Sequence, residues 1–249
     1  MRPLTPSEQK LLFALVRDAL HRGSGNQIEA KRRGNKHIPT LRSLGYLEGS
    51  ELTEKAFQLL FQPYALAPSP SGVQQLADSF GIEICWRRPH GIIKAKLDRA
   101  GEGLSYRNLR TAFVSAGAQL ETWYHEFGHI LYGCVKNNPE ILALFKTLQQ
   151  EAVAAYPIVS QERMTPVQRA FTSELVSPSP GRYVLINGRY HGLDHSGGEA
   201  EGEADELWAS LFEEYQSRRE LKREVRALTE QIIAAIGALP KPLDPCDKE

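Results

Sequence analysis

The segment Ala118–Gly133, AQLETWYHEFGHILYG, decides how the chain is read. His125 and His129 stand four residues apart, with Glu126 directly after the first. At about 100° per residue, Leu120, Trp123, Phe127, Ile130, Leu131 and Cys134 gather on one broad stripe. The two histidines fall together on the opposite side, with Glu126 at one flank. Four residues advance a helix by about 6 Å, so both imidazoles can reach one ion. Zn²⁺ takes imidazole nitrogen at roughly 2.0–2.1 Å, and a catalytic site keeps one tetrahedral position open. Glu126 is then a neighbour of the metal, placed to take a proton from the attacking water and return it to a leaving amine. The five-residue pattern also arises on ordinary wet helix faces. Its phase, and the strand running into it, favour the metal reading.

A catalytic zinc needs a third protein ligand. The metzincin arrangement is excluded, because its third histidine would fall at Val135. The acidic run at 197–215, GGEAEGEADELWASLFEEY, offers a carboxylate from a second helix instead. Ala204, Leu207, Trp208, Leu211, Phe212 and Tyr215 form an apolar stripe there. The same phase puts Glu201 inside the stripe, Asp205 at its margin and Glu203 at the other edge, and turns Glu206 away. A buried carboxylate needs a charge partner, so Glu201 is the expected ligand and Glu203 the next in line. The other acids are expected in solvent or complementing the helix dipole. Just upstream, GRYHGLDHSGG (188–198) carries Tyr190, His191 and His195. Tyr190 and His195 are the expected donors to a developing oxyanion, against the plainer reading of local hydrogen bonding. His21, His37 and His90 are given no role.

Residues 1–62 read as a small helical, winged-helix-like module. TPSEQKLLFALVRDAL (5–20) opens with a cap at Thr5 and Pro6 just inside, then Leu11, Leu12, Leu15 and Val16 recur at helical spacing. Two short helices, LGYLE, a tight turn and LTEKAFQLL follow. Lys31, Arg32, Arg33 and Lys36, with His37, form a basic cluster suited either to phosphate contacts or to a solvated face. Residues 63–72, rich in proline and serine, read as a linker. Residues 73–240 form the second domain, and 241–249 a tail. A helix stopped by Gly81 precedes strands at Ile82–Trp86 and Ile92–Leu97 and a third within RTAFVSAGA (110–118). Beyond the HEFGH helix come a helix over 138–156, a short strand at Tyr183–Ile186 and helix again over 199–237. The fold class is α+β: a small mixed sheet, an active-site helix and C-terminal helices.

Lys+Arg and Asp+Glu number 30 each, so no net field recruits nucleic acid or an anionic membrane. DNA binding would need the local basic cluster. No run approaches the roughly 20 apolar residues of a membrane span, and MRPLTPSEQK lacks a signal-peptide core. A cytoplasmic protein with no membrane partner is expected. Cys85, Cys134 and Cys246 are odd in number and widely spaced, which points to reduced thiols rather than a disulfide framework.

Over roughly residues 70–215 the chain resembles the ImmA/IrrE family of metallopeptidases. VQQLADSFGIEI is similar to that family's opening helix and strand, HEFGH to its active-site helix, and EGEADELWASLF to its third-ligand helix. The resemblance implies a zincin-like domain with His125, His129 and Glu201 as zinc ligands, Glu126 as general base and Asp205 orienting a ligand. It also implies a regulatory protease whose protein substrate is a DNA-binding repressor. The stretch between His129 and Glu201 is long for the family, which implies an inserted helix or substrate-binding segment, and Trp208 stands where a small residue is usual. HEFGH paired with an acidic, aromatic-containing helix is also similar to the catalytic domain of anthrax lethal factor, which implies an effector protease. A DNA-binding regulator whose zincin domain only senses or scaffolds is the reading from outside the enzymes.

Overall fold

Helix α1 (Pro6–Arg22) starts where the sequence closes a capping box. Thr5 N–H donates to Glu8 Oε2 (2.8 Å) and Glu8 N–H to Thr5 Oγ1 (3.4 Å). Pro6 takes the first helical position, whose N–H would have no helical partner. Arg2 donates to the same carboxylate at 2.6 and 2.8 Å, and these bonds lead in holding the Glu8 pKa down at about 2. The computed structural model describes residues 2–22, 28, 30–91, 93–94, 103–106, 109–160, 182–192, 200–241 and 243.

The chain divides into two units, Met1–Ala65 and Leu66–Glu249, and the division falls inside the segment read as a linker. In the first unit, α1 is followed by α2 (Ala30–Arg33), α3 (Ile38–Ser43), the antiparallel pair β1 (Leu47–Glu48) and β2 (Glu51–Leu52), and α4 (Glu54–Phe61). Leu12, Leu15, Val16, Ile38, Leu41, Leu52 and Phe57 are buried in it. Of the basic cluster, Arg32 pairs with Asp18 at 3.2 Å, Arg33 and Lys36 are exposed, and the side chain of Lys31 lies outside the described residues.

The second unit mixes helix and sheet. The far end of the expected linker is already part of it, since Ala67 N–H donates to Trp86 O at 2.9 Å. Helix α5 (Ser71–Phe80) ends at Gly81, whose φ of 68° is the left-handed conformation that stops a helix at little cost. The first sheet has the order β3 (Cys85–Arg87), β5 (Thr111–Val114), β4 (Gly103–Tyr106). β3 runs parallel and β4 antiparallel to β5. All four residues of β5 are buried, as expected of a central strand covered on both faces. Of the strand expected at Ile92–Leu97, Ile93 and Lys94 are helical instead, and the rest of that stretch lies outside the described residues. Its place in the sheet goes to β4, which is too short to show a period.

From β5 the chain enters α6 (Leu120–Val135), the HEFGH helix, and then α7 (Pro139–Ala155), capped by Asn138 Oδ1 accepting from Glu140 and Ile141 N–H at 3.1 Å. β6 (Ile158–Ser160), β7 (Arg182–Ile186) and β8 (Arg189–Gly192) form an antiparallel meander. Two more helices follow, α8 (Ala200–Gln216) and α9 (Arg223–Gly237). No helix among the described residues is long and apolar enough to cross a membrane. Cys85 and Cys134 are free thiols.

The core is aromatic around α6 and α8. Phe127 packs on Phe80 and Phe212 (ring centroids 6.1 and 5.9 Å apart), and Trp208 on Phe145 and Phe212 (5.0 and 5.3 Å). The two helices touch at Gly128, where an added Cβ would lie 2.9 Å from Ala209 Cα. Trp208 Nε1 donates across the same contact to Gly128 O at 3.1 Å. Leu120, placed by phase on the apolar stripe of α6, is instead 45% exposed, because the first turn extends past its cover.

Candidate metal centre

On α6, residues 126 to 135 are all buried, so the side opposite the apolar stripe is not wet. What covers it is α8, and α8 is itself buried from Ala204 to Glu214. Glu206, Ala209 and Glu213 lie three and then four residues apart, on one face of α8. Ala209 is small enough to admit Gly128, and the carboxylates on either side of it are thereby set against the histidines.

His125 Nε2 and His129 Nε2 lie 3.1 Å apart, their rings nearly perpendicular at 82°. Glu206 Oε1 is 3.2 Å from His129 Nε2, and Oε2 is 3.7 Å from His125 Nε2. Two ligands held at roughly 2.0–2.1 Å in a tetrahedral site are about 3.3 Å apart, so these three groups converge at the spacing of one zinc ion. The outer ring nitrogens fit the same assignment. His125 Nδ1 faces Glu213 Oε2 at 3.3 Å, and His129 Nδ1 faces Asp205 Oδ2 at 3.0 Å. Neither Nδ1 has hydrogen-bond geometry to its carboxylate, but a proton on each Nδ1 would leave both Nε2 lone pairs free for one ion. A cation at that point would also offset the concentration of buried acid around two imidazoles.

The electrostatics of the metal-free chain follow from this crowding. Burial would lower the His125 pKa, but Glu206 and Glu213 outweigh it and raise it well above the usual histidine range. His129 is raised in the same way, burial being overcome by Asp205 and Glu206. For Glu126 burial is the leading cause and pushes the pKa up, against the smaller pull of His129, His125 and the Ser105 hydroxyl. Its Oε2 is buried with no hydrogen-bond partner. Strand β4 crosses directly over this carboxyl, so close that a Cβ on Gly103 would stand 2.5 Å from Glu126 Oε1. His125 is the open side of the centre, its side chain 23% exposed against 8% for His129 and 7% for Glu206.

The sequence reading placed His125, Glu126 and His129 together on α6, and they do stand together. It turned Glu206 away from the metal, whereas that residue is buried between the two histidines. The reason is that the histidines lie opposite the apolar stripe of α6, so the acid meeting them must lie off the apolar stripe of α8. Glu201 is on the first turn of α8, but its side chain and that of Glu203 lie outside the described residues, as does His195. Tyr190 is in β8, its side chain likewise outside them. His191 is buried and engages Glu214 at 3.4 Å. Trp208, unusual for the family resemblance, fills the core and bonds to α6. The sequence reading placed a strand at Tyr183–Ile186, which is β7, but missed Glu213 and the partner strand β8 that makes the hairpin. The Asn187-Gly188 pair between two strand-like runs was a legible signal for the hairpin. No protein-family profile, curated protein or solved structure matches the chain.

Proposed function

We propose that the Leu66–Glu249 unit is a zinc-dependent peptidase domain of zincin-like build, in which His125, His129 and Glu206 hold the ion. The carrying observation is the convergence of both Nε2 atoms and the Glu206 carboxylate, with the buried Glu126 carboxyl alongside. Zinc bound there supplies a Lewis acid that acidifies water and polarises a carbonyl. Glu126 accepts the proton of the attacking water and delivers it to the leaving amine nitrogen. Asp205 and Glu213 fix the tautomer and direction of the two imidazoles. A peptide substrate is favoured by β4, which passes over Glu126 and has β5 as its single strand partner among the described residues. An extended chain can add to such an edge. A regulatory protease acting on a repressor follows from the ImmA/IrrE resemblance alone.

Metal analysis of the purified chain, with hydrolysis of a peptide library, tests this function. About one zinc per chain is expected. Glu126→Gln should keep the metal and abolish cleavage, and Glu206→Ala should release the metal where Glu201→Ala does not. Full zinc occupancy in Glu206→Ala would remove Glu206 from the ligand set, and unchanged turnover in Glu126→Gln would end its role as base.

A further inference from the structure

Asn187, Arg189 and His191 alternate along the turn and β8, so they share one face of the hairpin. All three meet the adjacent acids Glu213 and Glu214 of α8. Asn187 Nδ2 donates to Glu214 Oε2 at 2.8 Å, and His191 Nε2 is 3.4 Å from Glu214 Oε1. Arg189 Nη1 reaches both acids, at 2.7 Å to Glu213 Oε1 and 3.3 Å to Glu214 Oε1. The other oxygen of Glu213 is the one beside His125 Nδ1. The turn supplies the register: Asn187 and Gly188 have φ of 51° and 77°, the paired left-handed residues of a tight hairpin turn.

We propose that Arg189 is a positioning residue for the metal centre, holding the Glu213 carboxylate against His125 and so setting how tightly His125, His129 and Glu206 take zinc. This rests on the zinc site of the proposed function. The Glu213 side chain is 7% exposed and lies among other acids, so with one oxygen on His125 its other oxygen needs a cation of its own. Arg219 is not that cation. Its Nη1 is 3.8 Å from Glu213, and its shorter contacts go to Glu214 (2.9 Å) and Glu121 (2.7 Å). Arg189 is therefore the link by which a β-hairpin, with no ligand among its described side chains, reaches the metal site through one carboxylate and one imidazole.

The test is zinc affinity of the full chain, measured by competition with a chromophoric chelator, alongside thermal unfolding of the metal-free protein. Loss of a carboxylate that orients a ligand typically costs about 10- to 100-fold in metal affinity. Arg189→Ala, one contact further out, should lose about 10-fold, at the lower end of that range. Arg189→Lys should recover part of the loss, and Glu213→Gln should lose at least as much as Arg189→Ala. Adding Arg189→Ala to Glu213→Gln should cost little more. Arg226→Ala, removing an exposed arginine paired with Glu230, serves as the control and should bind zinc as the wild type does. Wild-type affinity in Arg189→Ala overturns the inference alone. So does an affinity loss that Glu213→Gln does not share, since the arginine would then act through general stability. Absence of zinc binding by the wild type overturns the metal site itself, and the inference with it.

Discussion

Replacing Gly128 by alanine inserts one methyl group where α6 and α8 come closest. Its carbon would lie 2.9 Å from Ala209 Cα, 3.4 Å from Ala209 Cβ and 3.5 Å from Phe212 Cδ1. Non-bonded carbons sit at about 3.5–4.0 Å, so the first contact is short by roughly 0.6–1 Å. The obstructing atom is backbone, and no side chain can swing aside to relieve it. The helices must separate, at an overpacking cost of about 1–3 kcal/mol. Alanine's better helix propensity returns about 1 kcal/mol. A net loss of up to about 2 kcal/mol corresponds to a fall of roughly 4–8 °C in Tm for a domain of this size. The metal centre should suffer more than the fold. The gaps of 3.2 and 3.7 Å from Glu206 to the imidazoles already span one ion, and widening them by half an ångström leaves a ligand out of reach. Zinc affinity should drop at least about 10-fold, as for loss of a group that orients a ligand. Thermal unfolding of the metal-free protein and chelator competition measure the two effects separately. Gly117→Ala, with nothing within 4 Å of the added carbon, should change neither. A Gly128→Ala protein with a raised Tm and wild-type zinc affinity would show that the helix contact is not the constraint described.

Low pH should dismantle the hairpin clamp late. Burial would raise the Glu214 pKa, but His191, Asn187 and Arg219 bring it down to about 2 from 4.5. A depressed carboxylate stabilises the fold above its unfolded pKa, by about 3 kcal/mol here, and loses that contribution as pH falls through about 2. Urea unfolding of metal-free wild type and Glu214→Gln should differ fully above pH 4.5 and converge progressively as pH falls from there to about 2; a gap that ignores pH would contradict the assignment. In the first unit, a DNA-binding role requires low-salt duplex binding that weakens steeply with added salt. Arg33→Ala and Lys36→Ala should each reduce the salt slope by about one, and absence of binding at low salt removes DNA as a partner.

The α6 half of the metal centre was legible because two histidines and a glutamate at fixed spacing need only a helix to bring them together. The α8 half was not. Helical phase distinguishes an apolar stripe from the rest, and reading the rest as wet assumes that one face meets solvent. Here Glu206 and Glu213 are buried against the histidines of α6, and Glu214 against the β7–β8 hairpin and Arg219, facts of tertiary structure that no single-helix pattern contains. β4 was invisible for a different reason, since GLSY is too short to show alternation. The hairpin was readable and passed over: Asn187-Gly188 carried its turn chemistry openly. At the N-terminus the cap expected at Thr5 is there, and Glu8, three residues on, completes it as a capping box.

The bond from Trp208 to Gly128 joins residues 80 apart in the chain. The histidine pair, by contrast, is complete within a single turn of helix. A growing or refolding chain therefore displays a two-imidazole chelate as soon as α6 winds, while the carboxylate arrives only after everything between has found its place. Closing so long a loop is not itself the obstacle, since each doubling of length adds only about 0.6 kcal/mol. For the proposed zinc site, firm retention of the ion would thus be a late event in folding, marking the moment when α8 docks. On that proposal, a chain cut ahead of α8 would keep the whole HEFGH motif and hold zinc only loosely.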